Sequence, residues 1–76
     1  MPLAQAAIGE SMLVVRISTD GKTRRHLQDL GISSGAELTP LSLAEGNMIV
    51  RVHDARIAIN SDLARNIIVT KRPVFA

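Results

Sequence analysis

DGKTRRHLQDLGISSG, residues 20–35, is the stretch whose reading decides the fold. Asp20-Gly21 is a turn pair. After it Thr23, Leu27 and Leu30 recur at i, i+4 and i+7, the spacing of one apolar stripe along a helix. Gly31 follows where helices commonly end in the left-handed conformation. Ile32 then falls at the position that, in a Schellman cap, packs back on Leu27. The helix is therefore short and bounded at both ends. Leu27 and Leu30 are expected to anchor it, with Arg24, Arg25, His26, Gln28 and Asp29 facing outward.

On either side of this helix the hydrophobic period drops to two. Ser11 to Ser18 places Leu13, Val15 and Ile17 on alternate positions of a first strand. Val14 also calls for burial, so either both faces are partly covered or a bulge lets neighbouring positions share the core. Ser33-Ser34-Gly35 forms a turn, and Ala36 to Leu43 reads as a second strand interrupted by Pro40, which implies an edge or a bulge. Glu45-Gly46-Asn47 supplies a hairpin before a third strand, Met48 to His53, with Met48, Val50 and Val52 inward. Asp54-Ala55 closes the next tight turn, Asp54 supplying the positive φ, and Ile57 and Ile59 continue the inward alternation in a fourth strand. Asn60 or Ser61 caps one helical turn through Asp62, Leu63 and Ala64. Ile67 and Val69 form a short fifth strand, and Lys71 to Ala76 reads as a loose tail.

Five short strands in 76 residues are too few for a sandwich and are best closed into a small barrel. The predicted fold is mainly β: an SH3-like barrel, with a short α-helix inserted between strands 1 and 2 and a one-turn helix before the last strand. No repeat or Gly/Ser-rich linker divides the chain, so residues 1–76 form a single domain.

Composition narrows the function. Apolar residues make up 46% of the chain, which is the composition of a folded domain, and the formal net charge of +2 names no partner by itself. Without cysteine there is no disulfide framework and no thiolate metal site. Met1 to Ile8 has neither a basic n-region nor an apolar run fit for a signal peptide or a membrane span, which points to a soluble cytoplasmic protein. The serines stand in no nucleophile turn and the glycines are too dispersed to cradle a phosphate, so no catalytic residue, small-molecule substrate or cofactor is expected. The only plausible metal ligands are His26, Asp29, His53 and Asp54. His26 and Asp29 share a helix face, but two ligands do not close a site, so no metal site is expected. His53 reads as solvated surface near Arg56. Arg16, Arg51, Arg56, Arg65, Lys71 and Arg72 could form a basic face. Against nucleic acid stands the single aromatic, Phe75, because single-strand readers stack bases on rings. The same lack of aromatics excludes a proline-peptide groove. Protein partner binding remains, with Arg24, Arg25, His26, Gln28 and Asp29 as the display surface.

Gly9 ahead of the first strand, Arg25-His26-Leu27-Gln28-Asp29-Leu30-Gly31-Ile32, then Gly35 before the second strand, together resemble the FeoA family, ferrous iron transport protein A. The resemblance continues through Leu43-Ala44-Glu45-Gly46, Ile57-Ala58-Ile59, Ala64 and Ile67-Ile68-Val69. His26, Asp54, Ala6 and Asn60 depart from residues common in the family. Similar domains occur at the C-terminus of iron-dependent repressors of the diphtheria-toxin-repressor type. The resemblance implies an SH3-like barrel and a non-enzymatic cytosolic accessory of ferrous iron transport, which binds and modulates the cytosolic part of a FeoB-type membrane transporter and reaches the membrane only through it. The alternative is a stand-alone nucleic-acid-binding or transition-metal-responsive regulatory domain.

Overall fold

The computed structural model describes residues 1–71. Five strands, β1 (Met12–Ile17), β2 (Glu37–Ala44), β3 (Asn47–Val52), β4 (Ala55–Asn60) and β5 (Ile67–Lys71), form one antiparallel sheet in the order β4-β3-β2-β1-β5. Helix α1 (Gly21–Asp29) connects β1 to β2, and the short α2 (Ser61–Arg65) connects β4 to β5. This is the SH3-like arrangement expected from the strand spacing. Strands β4 and β5 are the two edges of the sheet, and α2 packs against both of them.

The core is built from one face of each strand: Met12, Val14 and Ile17 from β1, Leu38 from β2, Met48, Val50 and Val52 from β3, Ile59 from β4, and Ile67 and Val69 from β5. Leu27, Ile32 and Ala64 close it from the helical side. Among the described residues no polar or charged side chain is buried, so stability comes from apolar burial, about 1.5–3 kcal/mol for each large side chain. Asn60 caps α2 as expected, its side-chain oxygen accepting from the Leu63 N–H at 2.8 Å.

Turn chemistry sets the hairpins. Glu45 (φ 52°) and Gly46 (φ 79°) both lie in the left-handed region, and Ala44 pairs with Asn47 across them, so a two-residue turn joins β2 to β3. Pro40 sits at a register shift between Pro40 and Ser42, the bulge its missing N–H calls for. The turn between β3 and β4 is His53-Asp54 rather than Asp54-Ala55. His53 supplies the positive φ of 56°, because Val52 and Ala55 pair directly and leave only two residues between them.

The first strand and the helix each differ from the sequence expectation in one respect. The inward set of β1 is Met12, Val14 and Ile17, not Leu13, Val15 and Ile17, and Val15 is 51% exposed. A register shift between Val14 and Arg16 inserts one residue, so of the two options open for Val14 the bulge is the one realised. Leu30 is not a core anchor: it is 37% exposed, whereas Leu27 is 2% exposed and is the only buried residue of α1. Leu30 is the C-cap residue, its N–H still donating to the His26 carbonyl, and the chain leaves the helix at Gly31.

At the chain ends the structure adds order. Leu3–Gln5 forms a single 3-10 turn that buries Leu3 and Ala6, Pro2 bridges to Ile68, and the Val69 N–H donates to the Met1 carbonyl at 2.7 Å. This segment covers the free edge of β5. Lys71, assigned to the tail from sequence, pairs with Met12 as the last residue of β5. The remainder of the expected tail, residues 72–76, lies outside the described residues, with Arg72 and Phe75 in it.

Candidate functional site

A helix of nine residues is too short to be stable alone, so α1 owes its position to its ends and to the few side chains that tie it to the rest of the fold. At the N-terminus Asp20 accepts the Thr23 N–H at 2.7 Å. Hydrogen bonds from the Thr23 side chain and backbone hold the Asp20 carboxyl below the usual carboxylate range. At the C-terminus the Gly31 N–H donates to the Gln28 carbonyl at 3.0 Å and the Ile32 N–H to the Leu27 carbonyl at 2.8 Å. Both bonds of a Schellman cap are therefore made, around a Gly31 with φ of 95°. Leu27 and Ile32 meet in the core as the spacing implies. With Leu27 the only residue turned in, the rest of the helix is presented outward.

Each of the five residues expected on the display surface is exposed: Arg24, Arg25, His26, Gln28 and Asp29. They are not equivalent. Arg24 is tethered, its Nη2 donating to the carbonyls of Ile17 at 3.2 Å and Thr19 at 3.3 Å, so it fastens the first turn of α1 to the end of β1. Among the described residues the side chains of Arg25, His26, Gln28 and Asp29 have no hydrogen bond or ion pair; the ion pairs are Arg65–Asp62 and Lys71–Glu10. They form a solvated face on a fixed support. His26 and Asp29 share that face without touching, and among the described residues no three His, Asp or Glu side chains come together as a ligand set.

The structure also assembles what the sequence did not suggest. An open cleft of about 400 Å3 lies between the end of β1, the side of α1 and the turn after it, lined among others by Arg16, Arg24, Gln28, Ser33 and Ser34. The sequence places Arg16 only in a general basic face, and no local signal joins it to Ser33 and Ser34. A second, smaller cleft of about 280 Å3 lies on the sheet, with Arg51, His53, Ser11 and Thr39 among its walls.

The remaining basic residues do not gather into one face. Arg51 and Arg56 stand opposite each other on β3 and β4, while Arg65 and Lys71 are each engaged by an acid, at 3.3 and 3.7 Å. His53 is exposed in its turn, its ring close to Gly31: a Cβ on Gly31 would lie 3.5 Å from His53 Cδ2. Among the described residues no helix is long and apolar enough to cross a membrane.

Comparison with known proteins fits this geometry. The FeoA domain model matches residues 1–71. The solution structure of a FeoA protein from Chlorobium tepidum superposes with a TM-score of 0.88 at 26% identity, covering 93% of this chain and 70% of that one. The crystal structure of an iron uptake regulatory protein (FeoA) superposes with a TM-score of 0.84 at 30% identity, covering 95% and 96% of the two chains. A manganese-dependent transcriptional repressor also superposes, with a TM-score of 0.85 at 27% identity, but over only 41% of its own length. No curated protein matches the chain.

Proposed function

The chain belongs to the FeoA family, implicated in iron uptake, and from that premise we propose that it is a non-enzymatic, cytoplasmic accessory of ferrous iron transport that binds a FeoB-type membrane transporter through the outward face of α1. One observation carries the reading: α1 is capped at both ends, held to the core by Leu27 and to the end of β1 by Arg24, and turns Arg25, His26, Gln28 and Asp29 to solvent with no partner among the described residues. Unpartnered side chains on a support fixed at both ends suit recognition, since the backbone that positions them costs little further ordering on binding. Leu30, partly exposed beside this face, adds an apolar contact of the kind that anchors interfaces.

The non-enzymatic part of the reading draws on the family. The test is retention of the chain by the transporter's cytosolic domain at near-physiological salt, with nucleotide and metal state varied. Retention that is lost in Arg25→Glu supports the adaptor. No retention under any state, with salt-sensitive binding to DNA or RNA instead, would replace it with a nucleic-acid-binding regulatory role.

A further inference from the structure

Strand β1 loses its neighbour on one side before it ends. On the β2 side its pairing runs through Met12–Leu38 and Leu13–Glu37 and ends at Val14, which bonds Gly35 and Ala36, yet it stays paired with β5 as far as Ile17. The bulge at Val15 falls in this one-sided part. Strict alternation after the inward Val14 would turn Arg16 into the core and Ile17 out; the inserted residue reverses this, leaving Arg16 exposed and Ile17 buried. Helix α1 and Ser33–Ser34 stand where β2 would have continued, and the space between is the cleft of about 400 Å3.

Its lining has one sign of charge. Arg16 and Arg24 are the charged residues, Gln28, Ser33 and Ser34 add neutral donors, and among the described residues no carboxylate lines it. Arg24 is held in place through one nitrogen, with the rest of its guanidinium donors left over. Arg16 has no hydrogen bond or ion pair among the described residues. Two guanidinium groups facing one space without an acid repel each other unless an anion enters, and the planar fork of arginine fits a carboxylate. With only two cations, the cleft is too small for the row of phosphate contacts that a nucleic acid needs.

We propose that this cleft receives the carboxylate of an acidic peptide segment of the protein partner, Arg16 and Arg24 binding the charge and Gln28, Ser33 and Ser34 completing the hydrogen bonds. This rests on the partner-binding reading above and names the chemistry of the segment bound.

The experiment titrates an end-blocked Asp/Glu peptide, its Asn/Gln counterpart and inorganic phosphate into the isotope-labelled chain, following the amides of Ser18, Gln28, Ser33 and Ser34 by NMR. The expected result is saturating shifts with the acidic peptide, about tenfold weaker binding for Arg16→Gln, corresponding to one charge-assisted contact, and weaker binding of both other probes. Shifts absent from the cleft, unchanged affinity in Arg16→Gln, or phosphate binding as tightly as the peptide would overturn the assignment. Arg16→Gln is also assayed on the transporter's cytosolic domain. Undiminished retention refutes the cleft and leaves the adaptor standing, whereas failure of the wild-type chain to be retained refutes the adaptor while the peptide titration still judges the cleft.

Discussion

Replacing Gly31 with alanine should be among the most damaging single-methyl changes in this domain, and its cost separates into two parts. The first is backbone strain: φ is 95°, a conformation that costs an L-residue about 1–2 kcal/mol. The second is steric. The new Cβ would lie 3.2 Å from Val52 Cγ1 and 3.5 Å from His53 Cδ2. Val52 is buried beneath the α1 cap and cannot swing into solvent, so this overpacking adds about 1 kcal/mol. The sum, about 2–3 kcal/mol, is a large share of the roughly 5–10 kcal/mol expected for a domain of this size. Gly35 provides the control. Its φ is 88°, but nothing lies within 4 Å of its Cβ position, so Gly35→Ala should show the strain part alone, about 1–2 kcal/mol.

The chain has no Trp or Tyr, so urea unfolding is best followed by far-UV circular dichroism, checked for two-state behaviour. Thermal midpoints should fall by about 10–20 °C for Gly31→Ala and by about half that for Gly35→Ala. Equal destabilisation of the two variants would refute the close approach of Gly31 to β3, and two neutral variants would refute the left-handed backbone at both sites.

Three further outcomes follow from the same structure. Leu27→Ala should cost about 2–5 kcal/mol and Leu30→Ala less than about 1 kcal/mol in urea melts, since only the former empties core volume; similar costs would return Leu30 to the core. Glu45→Asn should stabilise by about 0.5–1 kcal/mol, because asparagine tolerates the left-handed conformation that Glu45 adopts at the first turn position; a loss of stability in thermal melts would contradict the two-residue turn. The Asp20 carboxyl titrates below its unfolded value, so the stability it contributes is present above the ordinary carboxylate range and is lost as pH falls through its folded value. Asp20→Asn should flatten that acid-side decline, and an NMR titration of wild type giving an ordinary or raised Asp20 midpoint would disprove the cap.

What was legible in the sequence was local. The Leu27-Gly31-Ile32 cap, the Asn60 cap and the Met48, Val50, Val52 alternation each depend on residues within a few positions of one another, and each is realised. Pro40 announces its own bulge by lacking a donor. The misread features are those decided by distant partners. The phase of β1 is set by a bulge against β5, more than fifty residues away in sequence. Leu3 is buried because the N-terminal segment lies along β5, whereas Leu30 stands exposed at the C-cap because the core contact of α1 is made by Leu27. The candidate site divides in the same way. The display face on α1 follows from helical spacing, whereas the cleft at Arg16 exists only because β1 outlasts its pairing with β2.

The central claim, that the outward face of α1 is the partner surface, is tested most directly by mapping the contact itself. The isotope-labelled chain is mixed with the cytosolic domain of a FeoB-type transporter, and amide perturbations are followed residue by residue. The account predicts that they concentrate on Arg24, Arg25, His26, Gln28 and Asp29 and fade across Arg51 and Arg56 on the sheet. Perturbations centred on the β3–β4 face with α1 silent would contradict it.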